Sequence, residues 1–293
     1  METLMQAVVS GALMGLVYAL ISVGLTLIFG LMEVVNFAHG QFLMLAMFAS
    51  YGMSVLLGLD PLVSLPIVAV LLGILGLITN RLIILQVIRG PMVAQIFATF
   101  GLGIFLANGA QFLWSPDFRV VQNPWLGQLA GGLVRLPGGV YLGVPQLGAA
   151  VLAGVAFAAL YLFITRTKTG LALQAVAEDK EAAALMGINS QRMYDVGWFL
   201  GLACVGVAGA ALANFYYIAP QVGNTFAIIA YVVVALGGFG SVSGALLGGI
   251  LVGLVEILSP VVLGISPDLK YAVVYSVYLL IVFIRPQGLL GRY

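Results

Sequence analysis

Charge is what this sequence has least of. Of its 293 residues only 7% are Asp, Glu, Lys or Arg, where a soluble domain carries roughly 25%. With 62% of residues hydrophobic and a mean hydropathy of +1.17, no water-soluble fold could hide the apolar surface. Cysteine is nearly absent: Cys204 stands alone in an apolar stretch, which excludes an internal disulfide, argues against a Cys-based metal site and reads as a small buried packing residue. The net charge of +1 leaves neither a basic stripe for nucleic acid nor an acidic tail for a basic partner. No GxxxxGK[ST] nucleotide loop occurs, so ATP is not expected to bind this chain. The first apolar run has no basic flank and is too long for a signal peptide, so it reads as a spanning helix.

What is present is a series of apolar runs near the roughly 20 residues that cross a bilayer. Breaks at charges, prolines and glycines predict an all-α polytopic membrane bundle in one domain. Its spans lie near 5–29, 41–58, 62–84, 92–114, 145–165, 195–217, 226–240, 245–263 and 269–285. The 226–240 run is short and the 30–42 region reads as broken helix dipping into the membrane, so eight spans plus a half-helix and nine spans both fit.

The cations set an orientation. Arg81, Arg89, Arg166, Lys168, Lys180, Arg192, Arg285 and Arg292 fall on one side, and Arg119, Arg135 and Lys270 on the other. The positive-inside rule then puts the 166–194 loop and the C-terminus in the cytoplasm and Met1 outside. The 115–144 segment, with Trp114, Trp125, Tyr141 and a high Pro/Gly density, reads as an outer cap of turns or a short hairpin. Gly30–Leu43 and Gly240–Leu251 both break apolar segments with glycine or polar residues, and Asp60-Pro61 and Pro267-Asp268 each precede a helix, which suggests a parallel duplication. Gly201, Gly206 and Gly209, and Gly244, Gly248, Gly249 and Gly253, are spaced for close helix contact.

Four constellations stand out. In the 166–194 loop, Thr169 is placed to cap a helix through about Ala177 and Asp179 a second one, with Gly187 as a left-handed stop. The pair would carry an apolar face of Ala175, Ala182, Leu185 and Met186 beside Glu178, Asp179 and Lys180, more regular than a plain connector needs. Second, Asn36, His39, Gly40 and Gln41 sit at a break between apolar helices, suited either to a carboxylate passing a half-helix N-terminus or simply to capping the turn. Third, Gly238, Gly240, Ser241 and Ser243 fit a pore-lining break or a structural turn in which the serines cap the next helix. Fourth, Glu256 lies in an apolar span near its Ser259-Pro260 end, where an ionised carboxylate costs at least about 2.5 kcal/mol and must face protein or water.

The run Gly170-LALQAVAEDKEAAALMGI188 resembles the cytoplasmic coupling loop of ABC-importer permeases. The segment Glu33-VVNFAHGQFLML45 is similar to the N-terminal signature of the branched-chain amino acid permease family of the LivH type, and Gly237-GFGSVSGALLGG249 and Arg285-PQGLLG291 add further matches. The resemblance implies two cytoplasmic ATPase subunits holding ATP and Mg, a second related permease or a second copy of this chain, and an external solute-binding protein. Gly170, Ala175, Glu178, Asp179, Ala182 and Gly187 would take the ATPase stroke; Asn36, His39, Gly40, Gln41, Gly238, Gly240, Ser241 and Glu256 would border the pathway, with no catalytic or metal residue. Two rival classes remain at this point. An intramembrane serine hydrolase would need His39 and Ser241 within hydrogen-bond reach, and an ion-coupled transporter would need buried carboxylates, for which only Glu256 qualifies.

Overall fold

The computed structural model describes residues 2–136 and 139–291; Met1, Pro137, Gly138, Arg292 and Tyr293 lie outside them. Helices carry the fold: α1 (Glu2–Met32), α2 (His39–Leu57), α3 (Pro61–Thr79), which runs on through a π-helical turn at Asn80–Ile84 into α4 (Leu85–Val87), α5 (Met92–Trp114), the single turn α6 (Trp125–Gln128), α7 (Val144–Arg166), α8 (Lys168–Glu178), α9 (Lys180–Leu185), α10 (Ser190–Leu212), α11 (Val222–Gly237), α12 (Val242–Leu263) and α13 (Lys270–Ile284). Eight helices among the described residues are long and apolar enough to span a bilayer, and α11, with 16 residues, is the shorter ninth. The 115–144 segment, read from the sequence as a cap, contains a two-stranded antiparallel hairpin, β1 (Leu133–Leu136) with β2 (Val140–Gly143). The bundle therefore has a hairpin end and an α8–α9 end.

Local chemistry sets the helix limits. Gly58 stops α2 in the left-handed region, and Asp60 caps α3, its Oδ1 accepting from Leu62 N at 2.9 Å with Pro61 at the first helical position. The other Asp60 oxygen accepts from Trp125 N at 2.7 Å and so ties the cap to the bundle. Asn189 starts α10 by accepting from Arg192 N. The polar run Ser190–Asp195 is therefore helical, and the span begins five residues before the predicted 195, because Asp195 is neutralised by Arg81 rather than left to water. Pro260 sits inside α12 one turn before its end, and the helix continues to Leu263, the predicted limit of that span.

The packing reveals an inverted repeat. Helix α1 packs antiparallel on α12, with Gly11 beside Gly253, Gly15 beside Gly249 and Ile250, and Gly30 beside Gly240. Helix α10 packs antiparallel on α3 in the same manner, Gly206 against Val68 and Ala69 and Gly76 against Trp198 and Leu202. Helices α1 and α10 oppose each other, Gly24 meeting Gly201, and α2 meets α11. Thus α1–α2–α3–α5 corresponds to α10–α11–α12–α13 with reversed direction, and the predicted parallel duplication is overturned. The two breaks compared in the sequence, 30–43 and 240–251, follow helices running the same way; the true counterpart of the 33–38 break is the 213–221 segment after α10, whose Tyr and Asn residues hide the correspondence.

Candidate functional site

At the centre of the bundle two helix N-termini cross. After α1 ends at Met32 the chain turns at Glu33 (φ 55°) and runs back, non-helical, through 33–38. His39 Nε2 then lies 2.8 Å from the Ile21 carbonyl oxygen. Ile21 is eleven residues inside α1 from Met32, or ~16 Å at 1.5 Å per residue. Helix α2 therefore starts deep in the bundle, as does α11: Gln41 Nε2 donates to Asn224 Oδ1 at 2.7 Å, and a Cβ on Gly40 would stand 2.1 Å from the Gly223 carbonyl oxygen.

The break itself is held by polar contacts. Asn36 Oδ1 accepts from Ala38 N at 3.1 Å, the Asn36 carbonyl accepts from Tyr231 Oη at 2.5 Å, and Thr99 Oγ1 donates to the Val35 carbonyl at 3.1 Å. Asn36 and His39 are fully buried and Gln41 nearly so. Asn36 Nδ2, His39 Nδ1, Gln41 Oε1 and the α1 hydroxyls of Ser22 and Thr26 are buried without a protein partner. Such a concentration of unsatisfied groups inside an apolar bundle calls for water or a polar solute.

Gly238, Gly240 and Ser241 lie elsewhere. They form the turn between α11 and α12 at the α8–α9 end, with Gly238 (φ 99°) and Gly240 (φ 79°) in backbone conformations open to glycine, and Ser241 Oγ accepting from Gly244 N at 3.1 Å. The Arg285–Gly291 segment docks on this turn, Leu289 N bonding the Leu236 carbonyl at 2.7 Å and Leu290 N the Gly237 carbonyl at 3.0 Å. The two glycine-rich sequence motifs thus recognise each other. Ser241 caps as predicted, whereas Ser243 lies exposed within α12. His39 and Ser241 stand at different depths, so the hydrolase reading fails on geometry.

Glu256 faces protein, 4% exposed. Its Oε1 is 2.7 Å from Lys270 Nζ and its Oε2 accepts from Tyr18 Oη at 2.5 Å. Sequence reasoning missed both partners, as it missed Asn224 and the Asp195 to Arg81 pair (2.7 Å). A polar residue just after a glycine at a short span's start was the available signal for Asn224.

At the other end, α8 and α9 form the expected helix pair. Thr167, not Thr169, is the cap: Thr167 is extended and its Oγ1 accepts from Gly170 N at 3.0 Å, while Thr169 lies in the first turn. Gly170 is needed because α8 folds back on α7, where a Cβ would stand 2.2 Å from the Phe163 carbonyl oxygen. Asp179 Oδ1 caps α9 through Glu181 N and Ala182 N, and Gly187 has φ 81°. The anchored face is Leu173, Val176 and Ala183. The predicted apolar face is a separate one: Ala175 is half-buried, Ala182 is exposed, and Leu185 and Met186 are 89% and 82% exposed. The short α9 rotates them outward because its buried stripe passes through Ala183. Glu178 is the last residue of α8.

Comparison with known proteins agrees with this arrangement. Residues 7–282 match the family model described as branched-chain amino acid transport system / permease component. The chain is 29% identical over 98% of its length, and 96% of the relative's, to the high-affinity branched-chain amino acid transport system permease protein BraD of Pseudomonas aeruginosa. It has the same identity and coverage with LivH of Escherichia coli K12, and 29% identity over 93% of this chain and 88% of the relative with the probable LivH protein of Methanocaldococcus jannaschii. The solved structure of PsaBC from Streptococcus pneumoniae in complex with Fab shares the fold, with a TM-score of 0.51 and 15% identity over 98% of this chain and 93% of that one. Full-length similarity, a bundle of apolar helices and a capped helix pair at one end agree, and the chain belongs to the permease-component family of branched-chain amino acid transport systems.

Proposed function

We propose that this chain is the membrane-spanning permease subunit of an ATP-binding cassette importer that moves branched-chain or similar small amino acids across the inner membrane by alternating access. The observation that carries the proposal is the α8–α9 pair: rigidly capped and seated on the bundle by Leu173, Val176 and Ala183, it presents Leu185 and Met186 bare at its tip. A short helix fixed to the bundle on one side and apolar on the other is suited to enter a cleft of a partner and pass on a rigid-body motion. The partners in this reading are two cytoplasmic ATPase subunits that hold ATP and Mg, a second related permease or another copy of this chain, and an external solute-binding protein. The cation-rich α8–α9 end faces the cytoplasm, together with the C-terminus, and the amino terminus lies outside.

Gly170, Ala175, Glu178, Asp179, Ala182 and Gly187 shape the coupling element. The crossing of α2 and α11 at Asn36, His39, Gly40 and Gln41 is the constriction of the pathway, and Glu256 borders its hairpin side. Gly238, Gly240 and Ser241, at the α8–α9 end, border its exit. The test is uptake of labelled leucine into proteoliposomes holding the whole importer with ATP inside. The double variant Leu185→Asp/Met186→Asp is expected to insert normally and lose at least tenfold in rate; uptake at wild-type speed, or uptake that persists without ATP and collapses with the ion gradients, removes the proposal.

A further inference from the structure

The Glu256–Lys270 pair is not required to hold the bundle together. Helix α12 is already seated on α1 by backbone contact along the Gly11, Gly15, Gly249 and Gly253 seam. Replacing a buried ion pair by apolar residues is often neutral or stabilising, and an ionisable residue in a membrane-spanning helix is a functional candidate by default. Its surroundings are specific. Glu256 is 4% exposed and held by Tyr18 Oη, whereas the Lys270 side chain is 33% exposed and lies 4.8 Å from the centre of the Tyr271 ring. Tyr271 and Tyr275 lie within electrostatic reach of the same carboxylate.

Beside the pair lies an aromatic cluster that reaches from buried Tyr18 and Phe226 out to exposed Tyr217. Tyr18 meets Phe226 edge-on at 6.1 Å, Phe226 meets Tyr216 at 5.3 Å, and Tyr216 stacks on Tyr217 at 4.5 Å. Phe226 is two residues beyond Asn224, which bonds Gln41 at the crossing. The pair is therefore a carboxylate and an ammonium beside an aromatic cluster that approaches the constriction at Phe226, with the ammonium on the partly exposed side.

We propose that this is a recognition site for an amino-acid zwitterion: the substrate α-ammonium takes the place of Lys270 on Glu256, the freed Lys270 takes the α-carboxylate, and the aliphatic side chain lies on the rings of Tyr18, Phe226 and Tyr216. The charge balance selects this class. A zwitterion turns one ion pair into two and leaves no charge unpaired, whereas a ligand with only the ammonium or only the carboxylate leaves Lys270 or Glu256 without its counter-ion in a poorly solvated place. The proposal rests on the amino-acid import reading above and adds to it where the permease itself reads the substrate.

The test uses the permease–ATPase complex in lipid nanodiscs without the solute-binding protein. Displacement of radiolabelled leucine is measured with leucine, with 3-methylbutylamine, which lacks the carboxylate, and with 4-methylpentanoate, which lacks the ammonium. Each single-charge analogue is expected to compete at least tenfold more weakly than leucine; competition by either within tenfold overturns the site. The swapped variant Glu256→Lys/Lys270→Glu restores a structural ion pair but reverses the polarity that orients the side chain. It is expected to lose at least tenfold in leucine affinity, and wild-type affinity in that variant also overturns the site. Should the swap fail to assemble, displacement on the unaltered complex decides. If the complete importer takes up leucine with ATP but its permease binds none, the site falls and the import reading stands; if no ATP-dependent uptake of any amino acid occurs, the import reading falls first.

Discussion

Gln41 and Asn224 join the two half-buried helix starts of the inverted repeat through a single amide hydrogen bond of 2.7 Å. The bond spans the place where α2 and α11 pass closest, so the two halves of the bundle are linked at the constriction by side chains that can part and re-form. Gln41→Leu takes the donor from the Asn224 carbonyl, but Asn224 is exposed and water can replace it, so the cost is only the net worth of one hydrogen bond, about 0.5–1.5 kcal/mol. The single variant is expected to lower the unfolding temperature of the detergent-solubilised protein only slightly, and the double variant Gln41→Leu/Asn224→Leu to lie close to it. Uptake should fall in both, since an apolar plug removes the polar passage. A double variant with full uptake would show that the amide pair has no part in the passage.

The glycine seam gives the steepest stability prediction. A Cβ at Gly253 would lie 2.4 Å from the Gly11 carbonyl oxygen, and one at Gly15 would lie 2.6 Å from Ile250 Cα. The atoms that would have to yield are backbone, not flexible side chains. Gly253→Val is expected to cost ~3 kcal/mol, the upper part of the usual overpacking range, seen as loss of monodisperse protein and early thermal unfolding. Gly154→Val on α7, where a Cβ would meet nothing within 4 Å, is the matched control and should be tolerated.

Much of this was legible because lipid-spanning segments announce themselves by length and the absence of charge. The limits of α2, α5 and α7 fell within two residues of expectation, and Asp179, Gly187 and Ser241 acted as their types predict. What the chain order concealed was contact at a distance. Nothing local marks Lys270 as the partner of Glu256, or Tyr18 as its donor, 238 positions away. The repeat was misread for a related reason: an inverted copy conserves packing between reversed helices rather than the order of residue types, so Gly30 and Gly240 resembled equivalent breaks when they are neighbours at one end of an antiparallel pair. The start of α10 was misplaced because Asp195 looked like water-facing polarity until Arg81 was found beside it.

That pair supplies a ranking. Asp195, mostly buried, accepts from Arg81 Nη2 at 2.7 Å, from Arg81 Nε at 3.0 Å and from Asn80 Nδ2 at 2.9 Å. Arg81→Ala leaves the carboxylate one donor from Asn80 and access to water. Asp195→Ala removes the acceptor from both donors and leaves the fully buried Asn80 amide unpaired. Asp195→Ala should therefore lower the melting temperature more than Arg81→Ala does, and Asp195→Asn should fall between them. The reverse order, measured in one detergent at one salt concentration, would show that the guanidinium rather than the carboxylate holds α3 to α10.

Asp179 separates the shape of the coupling element from its surface. Its Oδ1 accepts from Glu181 N at 2.9 Å and from Ala182 N at 3.0 Å, fixing the start of a helix only six residues long. A helix this short has little stability of its own, so losing a cap worth about 1 kcal/mol should leave α9 frayed while the remote bundle keeps its packing. Asp179→Ala is expected to leave the unfolding temperature of the isolated permease almost unchanged and to slow ATP-driven uptake several-fold, with Asp179→Asn and Asp179→Ser, which retain a capping oxygen, close to wild type. Equal uptake by the alanine and serine variants would mean that the order of α9 does not matter to the motion it is proposed to carry. Equal loss in both, with the serine cap confirmed by hydrogen exchange at Glu181 and Ala182, would instead assign the effect to the carboxylate charge.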